Sequence, residues 1–272
     1  MIPSQLVFKV NAQCNIACTY CYQDALAPET FRSRYQTMDV AVLGQCLDAC
    51  FAELKSRRAP IRINLQGGEP LLVGLATFAR YLDTIRESAT RHGVKPEVSI
   101  QTNALLLDDA FCALLEKHEV TIGVSIDGPP DLHDRRRIDK GGHGTGKRVE
   151  AKIALALRAG ARVAGICVAD PEADGAAVYE YFCRIGLPSV HILLPAQNHA
   201  TSLTLRDARS YAPFLKGMFD AWAAREEGGT RIADFEEVVA SLLGLTFRSW
   251  VLNAAPSAWT CFLPDGAIET GD

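Results

Sequence analysis

Apolar residues recur along this chain in two alternating rhythms. Short runs at Leu6–Val10, Ile61–Leu65, Val98–Thr102, Val120–Ile126, Arg162–Val168 and Val190–Leu194 have the length and apolar content of buried strands. Between them, apolar positions fall three or four residues apart, the spacing of one face of a helix. Val42, Leu43, Cys46, Cys50 and Leu54 form the first such set, and Thr37 is its expected cap. Phe78, Leu82 and Ile85 form the second, Phe111, Leu114 and Leu115 the third, Val149 to Leu157 the fourth, and Val178, Phe182 and Ile185 the fifth. Strict alternation of this kind predicts an α/β fold with right-handed crossovers and a parallel sheet covered by outer helices. Six units predict an open, partial (β/α)6 barrel, because Leu205 to Leu245 reads as two helices rather than as the two further strands of a closed barrel. Residues 1–200 are therefore read as the core, and 201–272 as a helical segment leading into a small hairpin at Asp265-Gly266.

Composition narrows the class. Apolar residues are 48% and charged residues 22% of the 272, which fits a globular core and excludes disorder. No run approaches the ~20 apolar residues of a membrane span, and Met1-Ile2-Pro3 does not begin a secretory signal, so the expected setting is cytoplasmic with no membrane partner. Net charge is −4 and the longest basic run is Arg135-Arg136-Arg137, which argues against nucleic acid.

Nine cysteines stand out. In a reducing compartment clustered thiols point to metal or redox chemistry rather than disulfides. Three of them, Cys14, Cys18 and Cys21, fall in a C-x3-C-x2-C run directly after the first strand. A structural zinc site wants four ligands, yet the first histidine in the chain is His92, and Cys46 and Cys50 read as small apolar residues on a helix face. A redox pair at Cys18 and Cys21 leaves Cys14 without a role. Three thiolates on a four-iron cluster leave one iron open, which is where a metal centre does chemistry.

Ligands of parallel α/β sheets sit beyond the C-terminal ends of the strands. The cysteine loop falls there, as do Gln66-Gly67-Gly68-Glu69-Pro70, Gln101-Thr102-Asn103, and Ser125 with Asp127 and Gly128. The cysteine run, with Tyr20 before its last member, resembles the signature of the radical S-adenosylmethionine (SAM) enzymes. Gly67-Gly68-Glu69-Pro70 resembles the SAM-contacting turn of that superfamily. Together with Val124–Pro129, His133-Asp134 and Arg137, these motifs are similar to those of its peptide- and protein-modifying branch, the anaerobic sulfatase maturases and ribosomal-peptide maturases of the SPASM/twitch type.

The resemblance implies that Cys14, Cys18 and Cys21 hold a [4Fe–4S] cluster and that SAM chelates its open iron. It implies SAM contacts at Gly67, Gly68, Glu69, Ser125, Asp127, Arg137 and Tyr20: bare glycine backbone near the methionine amino group, Glu69 accepting from it, Ser125 and Asp127 facing the ribose or carboxylate, and Arg137 forking that carboxylate. It further implies a 5′-deoxyadenosyl radical that abstracts hydrogen from a residue of a precursor peptide or protein, with electrons from a flavodoxin- or ferredoxin-type partner. No catalytic acid or base is assigned. Tyr22, His191 and His199 fall near the same rim, where a lone His reads more readily as a satisfied neighbour than as a base.

The C-terminal text resembles the start of a SPASM/twitch-like extension that is truncated or reduced, with Cys261 present but Gly271 where a family cysteine is expected. Too few thiols then remain for an auxiliary cluster. The reading that follows is side-chain crosslinking of a peptide, of the cyclophane-forming kind. Oxidation of Cys or Ser to formylglycine stands second, and a non-catalytic peptide-binding or structural-cluster module third.

Overall fold

The computed structural model of the chain describes residues 5–21, 37–55, 61–195, 209–225, 227–245 and 259–269. Six βα units run in order: β1 (Gln5–Asn11), α1 (Val40–Leu54), β2 (Ile61–Gly67), α2 (Leu75–His92), β3 (Pro96–Thr102), α3 (Asp109–Lys117), β4 (Thr121–Ser125), a short α4 (Pro130–His133), α5 (Gly146–Arg158), β5 (Val163–Val168), α6 (Gly175–Arg184) and β6 (Ser189–Leu193). Then follow α7 (Ala212–Ala223), β7 (Arg231–Ile232), α8 (Ala233–Leu242), β8 (Trp259–Phe262) and β9 (Ile268–Glu269). The alternation expected from the sequence is present, as are the two late helices in the described part of their stretch. Cap geometry corrects one detail: the first helix begins at Val40 with Asp39 as N-cap, its carboxylate accepting from the Ala41 amide, while Thr37 pairs across to Asn11.

Among the described residues one sheet carries all nine strands, in the order β7-β6-β5-β4-β3-β2-β1-β8-β9. Every neighbouring pair is parallel except β8 with β9, which close the expected hairpin through a turn in which Gly266 has φ +85°. The order does not return on itself, so the barrel is open. The twist of successive strands coils a sheet of this width, so that one face is concave and the other convex.

Burial along the strands explains the two faces. On β2, Ile61, Ile63 and Leu65 enter the core under the helices, whereas Arg62, Asn64 and Gln66 turn to the inside of the curl. Glu97, Ser99 and Gln101 on β3 continue that polar face, with Asn64 Nδ2 donating to Ser99 Oγ at 2.9 Å. Apolar packing thus lies between sheet and helices, and the concave side is left polar for a ligand. No helix among the described residues is long and apolar enough to cross a membrane.

Candidate functional site

The cysteine loop leaves β1 and is bound on two sides. On one side lies the turn after β2. Gly68 donates its amide to the Asn11 carbonyl at 2.7 Å, and Glu69 donates to the Gln13 carbonyl at 2.8 Å. Side chains do not fit in that seam: a Cβ on Gly67 would stand 2.1 Å from Asn11 O, and one on Gly68 2.3 Å from Gln13 O. Gly67 also holds φ +139°, which L residues rarely adopt. The glycines are thus required by the approach of the cysteine loop, which refines the expectation that they bare backbone for a ligand.

Glu69 is wholly buried and already supplied with donors. Its Oε1 accepts from the Leu71 amide at 3.0 Å and the Thr102 hydroxyl at 2.7 Å, and its Oε2 from the Asn103 amide at 2.9 Å. Burial pushes its carboxyl up to about 7, against those three donors. Asn103 then passes the contact on, its Nδ2 donating to Asn15 Oδ1 at 2.7 Å and lying 3.7 Å from Cys14 Sγ. The Gln-Thr-Asn motif at the end of β3 therefore ties Glu69 to the first cysteine. Beside it, Gln101 Nε2 donates to Ser125 Oγ at 2.8 Å at the end of β4.

On the other side lies the segment after β4. Asp127 accepts from the Val168 amide at 3.0 Å on Oδ1, and from Arg137 Nε at 2.9 Å and the Tyr20 hydroxyl on Oδ2. Arg137 is buried, with its guanidinium carbon 5.3 Å from the centre of the Tyr20 ring. Asp127 and Ser125, expected to face one side together, divide their work: Asp127 lies past the strand end in an internal ion pair, and Ser125 remains half-buried beside Gln101.

His133 and Thr145 complete this half. The Thr145 hydroxyl donates to the Arg137 carbonyl at 2.8 Å, so its oxygen accepts from His133 Nε2–H at 3.0 Å. His133 Nδ1 then accepts from the Asp127 amide at 3.3 Å, which fixes a neutral imidazole by the logic of its partners. Burial agrees, holding its pKa down to about 4. Thr145 carried no signal in the sequence beyond a polar residue between two glycines.

The three motif thiols are each half-buried, and none is in a disulfide. Burial raises the Cys14 thiol to about 11 and also raises Cys18, where the Arg137 cation works in the opposite direction. Among the described residues no three His, Cys, Asp or Glu side chains converge as one metal ion requires. A four-iron cluster asks for something else, one thiolate at each of three corners, and three thiols on one loop supply that donor set. A cavity of about 220 Å³ adjoins Tyr20 and Asp127, walled by Leu132, Val168, Ala169 and Tyr211. Of the other candidates, Cys46 and Cys50 pack against the core, Cys112 and Cys261 are buried, the buried Cys167 thiol donates to the Asp127 carbonyl at 3.5 Å, and Tyr22, His199 and Gly271 lie outside the described residues.

Parallel strands curled into an open barrel, with three thiols on the first rim loop, define an iron–sulfur enzyme fold with room for a ligand at the strand ends. The sequence model of the Radical SAM superfamily matches residues 9–177. The chain belongs to that superfamily, and so is an enzyme of oxidoreductase-type radical chemistry whose cofactors are a [4Fe–4S] cluster and SAM. This sets aside the non-catalytic module.

Among proteins it resembles are the serine-type anaerobic sulfatase-maturating enzyme of Klebsiella aerogenes and the cysteine-type enzyme of Clostridium novyi. The first is 28% identical over 278 residues, covering 100% of this chain and 67% of the relative. The second is 23% identical over 280 residues, covering 99% of this chain and 73% of the relative. In fold it is similar to native anSMEcpe solved with AdoMet and the Cp18Cys peptide, with a TM-score of 0.80 and 23% identity over 97% of this chain and 72% of that one.

Proposed function

We propose that this protein oxidises a Cys or Ser side chain in a peptide segment of a protein substrate to formylglycine. One observation carries the reading. Similarity to the sulfatase-maturating enzymes spans 99% and 100% of the chain, well past residue 177 where the superfamily match ends. The fold shared with a peptide-bound structure is in keeping with a peptide substrate. The case for crosslinking rests on the small number of thiols left for a second cluster. That count weighs less beside relatives that are longer than this chain, of which 67% and 73% is covered.

In this reading Cys14, Cys18 and Cys21 hold the cluster, and Ser125, Tyr20, Arg137 and the Gly67-Gly68-Glu69 turn surround SAM. The cavity beside Tyr20 is the proposed place of its nucleoside. Bound together, cluster and SAM supply one-electron cleavage to methionine and a 5′-deoxyadenosyl radical that abstracts a hydrogen atom. The chain's part is to orient. Glu69 and Asn103 fix the Cys14 end of the loop, while Asp127 and Arg137 fix the Cys18 end. Serine would lose two hydrogens overall, one as an atom and one as a proton together with an electron that an iron–sulfur or flavin carrier would accept. For cysteine the thioaldehyde formed in the same way takes up water and releases hydrogen sulfide. A ferredoxin- or flavodoxin-type donor is the proposed source of the initiating electron.

The test is anaerobic reconstitution followed by incubation with SAM, dithionite and a sulfatase-type peptide carrying Cys or Ser. The expected outcome is 5′-deoxyadenosine with a peptide aldehyde that reacts with a hydrazine probe. A product lacking two hydrogens, inert to hydrazine and bridged between two side chains, would return the reading to crosslinking. A Cys18→Ala variant that still yields 5′-deoxyadenosine would sink the cluster assignment.

A further inference from the structure

The cysteine loop lies antiparallel on the segment that carries Arg137. Ile16 bridges to Asp139, the Ala17 amide donates to the Ile138 carbonyl at 2.8 Å, and the Thr19 amide to the Arg136 carbonyl at 2.9 Å. In that register Cys18 stands opposite Arg137. The side chains follow the backbone: Arg137 Nη1 lies 3.9 Å from Cys18 Sγ, while Nε is held by Asp127 at 2.9 Å. Arg137 is 7% exposed, its amide donates to the His133 carbonyl at 2.9 Å, and its own carbonyl accepts from Thr145. A side chain that stays charged at any accessible pH is thereby fixed against the middle cysteine.

We infer that Arg137 sets the reduction potential of the cluster through Cys18, with Asp127 as the counter-charge that moderates it. The inference rests on Cys14, Cys18 and Cys21 being the cluster ligands. Reduction adds an electron to a cluster already bound by thiolates, so a cation beside a ligand sulfur favours the reduced state and raises the potential. A donor directed at that sulfur works the same way, by withdrawing charge from the iron–sulfur bond. Salt screens little at a buried site, so the effect persists in any buffer. Asp127 acts with the opposite sign, through its direct ion pair with Arg137. With Nε on Asp127 and Nη1 at Cys18, Arg137 is a positioning residue for the cluster's electronics in addition to any contact with SAM.

The experiment compares wild type with Arg137→Gln, Arg137→Lys and Asp127→Asn, each reconstituted anaerobically and assayed first for iron. Midpoint potentials are then read by dye-mediated titration of the cluster without SAM. Arg137→Gln is expected to shift the midpoint to more negative values, Arg137→Lys to fall between it and wild type, and Asp127→Asn to shift it upward. Opposite signs are the diagnostic, because general loosening of the site moves both variants the same way. An unchanged midpoint in fully loaded Arg137→Gln, or shifts of one sign in Arg137→Gln and Asp127→Asn, overturns the inference. Where Arg137→Gln does not fold, Arg137→Lys and Asp127→Asn carry the same test of sign. Wild type that fails to take up four irons strikes the cluster assignment instead, a result distinct from an unchanged potential.

Discussion

Glu69 and Asp127 are both buried carboxylates at the rim, each one step from a motif cysteine, yet they are stabilised by different means. Glu69 has three neutral donors and no cation, so burial dominates and its carboxyl is pushed up to about 7. Asp127 has a guanidinium, a hydroxyl and an amide, and its charge is matched inside the same network. The difference sorts the two halves of the site. The half after β2 and β3 is a hydrogen-bonded frame that holds backbone. The half after β4 is a charged frame, and it places a cation against a thiol.

The largest effect expected from breaking this contrast is Arg137→Met. It leaves Asp127 buried without its cation, a loss of about 3–5 kcal/mol that chemical denaturation of the wild type and variant would read. Glu69→Gln keeps one acceptor and turns an NH2 toward the Asn103 or Leu71 amide. Its expected cost at neutral pH is smaller, about 1–3 kcal/mol. Equal losses from the two variants would remove the distinction between a charged and a neutral frame.

The pH dependence sharpens the same contrast. For Glu69 the folded pKa, about 7, lies above the ordinary 4.5, so the folded state binds the extra proton. Its contribution is fully present below 4.5 and is lost as pH rises through 7, amounting to about 3 kcal/mol at ~1.4 kcal/mol for each tenfold difference in proton affinity between the folded and unfolded chain. His133 has the opposite sign. Its folded pKa, about 4, lies below 6.5, so its stabilisation is present above 6.5 and lost as pH falls through 4. The two slopes oppose each other between 4.5 and 6.5. Denaturation midpoints across that window should therefore be nearly flat in wild type, rise with pH in Glu69→Gln, and fall with pH in His133→Gln.

Part of this was legible in the sequence and part was not. The β–α rhythm located every unit of the core, because apolar period is set by burial and burial is what the fold optimises. The cysteine spacing and the Gly-Gly-Glu-Pro turn marked the rim. What the text does not carry is which partner satisfies a buried group. Gly67 and Gly68 read as openings for a ligand, and nothing in the text shows that their missing side chains also admit the backbone of residues 11–13. Asp127 and Arg137 read as two SAM contacts, and nothing in the text shows the ion pair that they also form with each other. Asp39, rather than Thr37, caps the first helix, since both are good caps and only the chain's path chooses between them. Thr145 is a hub that no local pattern announces, because its two partners, His133 and the Arg137 carbonyl, come from a loop folded back upon it.

Gly68→Ala tests the seam at lower cost. The added Cβ would meet Gln13 O at 2.3 Å, a backbone atom that moves only with the cysteine loop. Overpacking of this kind costs about 1–3 kcal/mol. Because the strain falls on residues 11–13, the variant should also load less iron than wild type under identical reconstitution. A stable variant with full iron content would show that the turn after β2 does not set the position of the loop.

The smallest expected effect is at Tyr20, which belongs to both halves by position and to the charged half by contact. Tyr20→Phe keeps the ring beneath the Arg137 guanidinium and removes only the hydroxyl that donates to Asp127. Asp127 retains Arg137 Nε and the Val168 amide, so it is not orphaned, and the loss is that of one hydrogen bond to a charged acceptor, about 1.5 kcal/mol in denaturation experiments. Iron loading should match wild type, since the contact of Arg137 with Cys18 is untouched. If Tyr20→Phe instead destabilises as much as Arg137→Met, the hydroxyl and not the guanidinium is the partner on which buried Asp127 depends, and the description of this half as an ion-pair frame fails.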